Sequence, residues 1–121
     1  MEYSPLVMDH FLNPRNVGEI EEADGVGMAR NLQDDDTVRL SIRVVDDQIE
    51  EAKFKAQGCV AAIAASSMLT ELIEGRSLDE AKAIAKEDLV QGLGGLPERK
   101  ARCSLTGLEA LREAIEGYRR K

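Results

Sequence analysis

Two cysteines, a run of three aspartates and one histidine are the residues of this 121-residue chain whose types can do chemistry. Cys59 sits in "AQGCVAAIAASS", after a glycine and before a long run of small apolar residues. Cys103 sits in "ERKARCSLTGLEAL", after a basic loop segment and before a helical pattern. Each therefore falls where a helix begins, and there free N–H groups and the positive end of the helix dipole favour a thiolate. Arg102, with Arg99 and Lys100 close by, is expected to lower the Cys103 pKa further. A thiolate binds soft metals or attacks sulfur, but a cysteine before an alanine-rich helix is equally often a small buried hydrophobe. No CxxC occurs, so spacing alone does not decide between the two.

"QDDDT", residues 33–37, offers three successive carboxylates that could coordinate a cation or could simply form a solvated loop. His10 beside Phe11 reads as a core or surface residue of a short helix, which leaves Ser-His-Asp and zinc-peptidase arrangements unsupported. "GLGGLP" has no following Lys-Ser/Thr, so it is not read as a phosphate loop.

The elements that must position these residues follow from periodicity. Ser4-Pro5 reads as an N-cap and first turn, opening a helix that stops before "NPRN". Residues 17–36 are glycine- and acid-rich with weak periodicity and read as loop. "TVRLSIRVV" alternates as a half-buried strand, "DDQ" turns it, and "IEEAKFKAQ" is its hairpin partner. A helix is expected from Val60 to Glu74, a second opens at the "SLDE" capping box and runs to Ala85, and a third covers Glu87–Leu93. "GLGGLPERK" is read as a loop before the last helix, whose stripe is Leu105, Leu108, Leu111 and Ile115. The order describes an α+β fold in one domain, residues 1–121.

Composition narrows the function classes. A net charge of −7 argues against general affinity for nucleic acid or an anionic membrane. Aromatics are only 3% and Trp is absent, so the core is aliphatic and offers few stacking platforms. No segment approaches the roughly 20 apolar residues of a membrane span. The acidic, interrupted opening "MEYSPLVMDHF" is unlike a signal peptide. Two cysteines in such a chain suggest a reducing cytoplasm.

Taken together, three long segments resemble the NifU/IscU-type iron–sulfur cluster scaffolds. They are "YSPLVMDHFLNPRNVGEIEEADGVG", "FKAQGCVAAIAASSMLTELIEGRSLDEA" and "LGGLPERKARCSLTGLEALREAI", in the family's order and covering nearly the whole chain. The resemblance is closer to the NifU N-terminal domain than to its shorter relatives. It implies a small antiparallel sheet covered by helices. It also implies a site of three cysteines and an Asp or His, holding zinc, iron or a nascent [2Fe–2S] cluster, with sulfur supplied by a cysteine desulfurase. Such a protein is a scaffold and not an enzyme.

The chain departs from that pattern at two ligands. The family's C-G-D loop aligns with Asp34, Asp35 and Asp36, so the first cysteine is missing, and Arg102 stands where the family has histidine. The resemblance then leaves Asp36, Cys59 and Cys103 as ligands, with Asp34 as a carboxylate substitute. Oxygen suits a cluster iron less well than thiolate, so a cluster here is expected to be labile, strained or shared between subunits of a homo-oligomer. The alternative is a persulfide carrier or desulfurase adaptor with Cys103 as sulfur acceptor. "LPERK" keeps Leu96, Pro97 and Lys100 of the family's L-P-P-V-K chaperone-recognition segment.

Overall fold

Ser4 caps the first helix, α1 (Pro5–Leu12), by accepting a hydrogen bond from the Val7 N–H at 3.1 Å, and proline fills the first turn. The computed structural model describes residues 3–120, so Met1 and Glu2 of the opening segment and Lys121, up to which the sequence pattern is read as helix, lie outside the described residues. After α1 the chain crosses the edge of the sheet. Gly18 N–H donates to Phe54 O and Phe54 N–H to Asn16 O, which pairs residues of the "NPRNVG" stretch with the last strand.

Three strands form one antiparallel sheet in the order β1 (Gly25–Asn31), β2 (Asp36–Val45), β3 (Gln48–Gln57). β2 and β3 are the expected hairpin. Val38, Leu40 and Ile42 face inward and are fully buried, and Asp46 and Asp47, with φ of 52° and 60°, make the left-handed two-residue turn. Aspartate tolerates that conformation because its short side chain can hydrogen-bond locally. β1 corrects the expectation of a loop over residues 17–36. Its inward positions are Gly25 and Gly27, while Val26 and Met28 are exposed, so the apolar alternation is inverted relative to an ordinary half-buried strand. The inward glycines exist because the last helix lies directly on them. A Cβ at Gly25 would collide with Ala114 O, and one at Gly27 with Ala110 O.

The helices are α2 (Val60–Ile73), α3 (Leu78–Lys82), α4 (Lys86–Gly92), α5 (Glu98–Ala101) and α6 (Ser104–Arg119). α3 opens at the reciprocal Ser77–Glu80 capping box, as the sequence indicates, but ends at Lys82, short of Ala85. α5 is a single turn inside the segment read as loop. On α6, Leu108, Leu111 and Ile115 are buried with Ala110 and Ala114, whereas Leu105 is partly exposed and leaves the stripe. The core is aliphatic around one aromatic, Phe54, with Leu40, Ile42, Ile49, Leu69 and Leu111 at most 2% exposed. Each such side chain contributes roughly 1.5–3 kcal/mol of transfer free energy. No helix among the described residues is long and apolar enough to cross a membrane.

His10 is a core residue. It is buried against α2, with Nδ1 2.8 Å from Ser67 Oγ and Nε2 3.5 Å from Glu71 Oε1. Burial, and then the charge of Arg15, push its pKa below the usual 6.5. The folded state therefore binds fewer protons there than the unfolded chain. The stabilising effect is complete above pH 6.5 and is lost as pH falls from that value through the lowered pKa. The expected result is a denaturation midpoint that declines from about pH 7 to about pH 5, with a visibly flatter decline in His10→Gln. Equal slopes for the two proteins would show that His10 carries none of the pH dependence.

Candidate metal centre

The sheet register builds the site. Thr37 pairs with Gln57 at the end of the β2–β3 ladder, so Asp36, the first residue of β2, faces the Gly58-Cys59 step that leaves β3. Asp36 is fully buried, and its Oδ1 accepts the Cys59 backbone N–H at 2.9 Å. Gly58 makes that approach: its φ is +148°, and a Cβ there would collide with Asp36 Oδ1. Cys59 then N-caps α2, its Sγ accepting the Ala62 N–H at 3.4 Å.

From the other side, the turn between α5 and α6 brings in Cys103. The two sulfurs are 3.4 Å apart, and Cys59 Sγ is 3.8 Å from Asp36 Oδ2. Both thiols are free. One donor atom from each of Asp36, Cys59 and Cys103 lies within 4.8 Å of the others. Ligands arranged tetrahedrally on a metal with bonds of about 2.3 Å are separated by about 3.8 Å, so this spacing suits a cation such as Zn²⁺ or Fe²⁺. Ala61, Ala62, Leu96 and Tyr3 form an apolar wall around Cys103.

The Cys103 thiol departs from expectation. Burial, then the neighbouring Cys59 and Asp36, push its pKa far above the ordinary thiol value. Three features remove the lowering predicted from helix start and basic neighbours. Cys103 is 1% exposed, and its N–H already donates to Lys100 O at 3.0 Å. The adjacent Arg102 guanidinium is turned to Asp34, with Nε 2.8 Å from Oδ2 and Nη2 2.9 Å from Oδ1. A cation entering the site displaces the Cys103 proton and relieves the crowding of negative donors, so the residues present fit a divalent ion.

The three aspartates of "QDDDT" have three different environments. Asp36 is in the donor group. Asp35 is exposed beside Arg30, its Oδ1 3.7 Å from the guanidinium. Asp34, held to a pKa of about 2 chiefly by Arg102, also accepts from Asn31 Nδ2 at 2.8 Å and is not in the group that includes Asp36. Pro97 opens α5, Leu96 lines the wall of the site, and Lys100 is half-buried on that same short helix. The role of Asn31, the close approach of Gly58 to Asp36 and the place of Leu96 in the wall of the site do not follow from the sequence reading. The signal available for Gly58 was a glycine directly before a cysteine at a strand-to-helix corner.

Residues 2–121 match the family model described as the NifU-like N terminal domain. The chain is 50% identical over 119 residues to the iron–sulfur cluster assembly scaffold protein IscU 1 of Archaeoglobus fulgidus, covering 98% of this chain and 78% of that one. It is 44% identical over 125 residues to the scaffold protein IscU of Escherichia coli, covering 100% and 97%. The fold is similar to the N-terminal part of a nitrogen-fixing NifU-like protein from Brucella abortus, with a TM-score of 0.82, 20% identity, and 99% and 96% of the two chains covered. With the match running through both cysteines and every described element, the chain belongs to the family of NifU-like N-terminal domains.

Proposed function

We propose that the protein is an iron–sulfur cluster assembly scaffold, a single domain over residues 1–121 that holds iron, zinc or a labile [2Fe–2S] cluster as cargo. Asp36, Cys59 and Cys103 are the ligands. The carrying observation is their convergence from β2, the start of α2 and the start of α6 to within 4.8 Å. Relatives at 44–50% identity are named as scaffolds, which supports the same role here. The metal or cluster supplies the redox and Lewis-acid chemistry. The chain's own residues supply two thiolate sulfurs, one buried carboxylate and an apolar wall that limits water.

On this reading a cysteine desulfurase delivers the sulfur, and the protein binds and hands over without turnover of its own. Leu96, Pro97 and Lys100, on α5 and the two residues before it, are the candidates for chaperone contact. The compartment is a reducing one, the cytoplasm, where two thiols 3.4 Å apart persist as thiols. The alternative of a persulfide carrier or desulfurase adaptor gains nothing from the geometry, since Cys103 is buried behind Ala61, Ala62 and Leu96 and not presented to a sulfur donor.

The test is anaerobic reconstitution with ferrous iron, cysteine, a cysteine desulfurase and a thiol reductant. Iron and sulfide bound in equal amounts, with charge-transfer absorption in the visible, are the expected result. Persulfide on Cys103 without bound iron would overturn the scaffold reading in favour of sulfur carriage.

A further inference from the structure

Asp34 lies two residues before a proposed ligand and yet is spoken for. Its Oδ2 receives Arg102 Nε at 2.8 Å and Asn31 Nδ2 at 2.8 Å, and its Oδ1 receives Arg102 Nη2 at 2.9 Å. Asn31 fixes the turn as well, its Oδ1 accepting the Gln33 N–H at 3.0 Å and the Asp34 N–H at 3.4 Å. The Asp34 side chain is 9% exposed, so the pair is partly shielded from water. A potential donor is thus held at the rim of the site by a two-point guanidinium fork. The same pair ties the turn that leads to Asp36 to the residue preceding Cys103, across 68 positions of sequence.

We propose that Arg102 is a positioning residue that withholds Asp34 from the metal, keeping the protein's own donor set at Asp36, Cys59 and Cys103 and the fourth coordination position open to an exchangeable ligand. A divalent ion has to compete with a bidentate guanidinium for the Asp34 oxygens, and the arginine cannot give up its charge. A three-donor site with one exchangeable position binds less tightly and releases more readily than a closed four-donor site. This inference rests on the metal-binding reading above.

The test is Zn²⁺ affinity by competition with a chromophoric chelator, together with the visible spectrum of the Co²⁺-loaded full chain. It compares the wild type with Asp34→Asn, Arg102→Ala, Arg102→Lys, the Asp34→Asn/Arg102→Ala double variant and Cys59→Ser. Asp34→Asn alone is expected to leave Zn²⁺ affinity within about twofold, whereas Arg102→Ala tightens it about tenfold, the scale of outer-shell effects on metal sites. That gain disappears in the double variant, and Arg102→Lys, which keeps the charge but loses the fork, falls between. In the Co²⁺ spectrum, Arg102→Ala changes the d–d bands while leaving the thiolate charge-transfer bands in place.

A tenfold loss in Asp34→Asn alone would show that Asp34 already ligates, and a gain surviving in the double variant would show a general charge effect. No gain in Arg102→Ala would show that the pair withholds nothing. Any of these overturns the inference while leaving the scaffold reading intact. Wild-type affinity no tighter than that of Cys59→Ser would instead overturn the scaffold reading, and this inference with it.

Discussion

Replacing Cys103 with serine is expected to lower Zn²⁺ affinity roughly a hundredfold or more, and Cys59→Ser to do the same. The change removes one of three protein donors and substitutes a hydroxyl that stays protonated near neutral pH. Cys103 is 1% exposed and walled by Ala61, Ala62 and Leu96, so among these apolar neighbours no other protein donor stands in for the lost sulfur. The two variants separate binding from folding in different ways. Cys59 caps α2 through its sulfur, and serine is the better capping residue, so Cys59→Ser should keep or raise the metal-free melting temperature while losing the metal. Cys103 makes no cap bond, so Cys103→Ser costs only the burial of a polar hydroxyl, about 1–3 kcal/mol if it finds no partner. Chelator competition and thermal melts of the metal-free proteins check both arms. An affinity within threefold of wild type in both variants would remove the thiols from the site.

How far the sequence reaches is clearest from three residues. Cys59 was legible because strand alternation breaks at Gln57 and helical periodicity starts at Val60, so the cysteine had to stand at the corner. Its meeting with Asp36 depends on the hairpin register, which the Asp46-Asp47 turn and the one-residue shift in the ladder between Arg43 and Val44 set together: one step of slippage would turn Asp36 to the opposite face. Cys103 was legible as a residue at a helix start but not as a thiol with a raised pKa. Sequence puts Arg102 next to it, while the structure spends the guanidinium on a carboxylate 68 positions away. β1 was not legible. An inward row of glycine carries no hydrophobic signal, and Val26 and Met28 point outward, so the usual evidence for a strand is absent where helix and sheet approach most closely.

That close approach sets the second large effect. Gly27→Val is expected to destabilise the fold by about 4 kcal/mol or more, among the larger losses a single substitution causes. A Cβ at position 27 overlaps Ala110 O and would lie 2.6 Å from Ala114 N, both backbone atoms of α6 that cannot rotate away as a side chain would. The helix must lift from β1, and Leu108, Leu111 and Ile115 then lose part of their packing. In a domain of this size such a loss lowers the melting temperature by roughly 10–20 °C. Val26→Ala, one position away on the exposed face, is the control and should shift it little. The effect also reaches the site, because α6 begins at the residue after Cys103. Lifting its first turns moves one sulfur relative to the other, so Gly27→Val should weaken Zn²⁺ binding even at temperatures where the protein stays folded. If the variant melted like wild type, the contact between helix and strand would not be as close as these backbone atoms require.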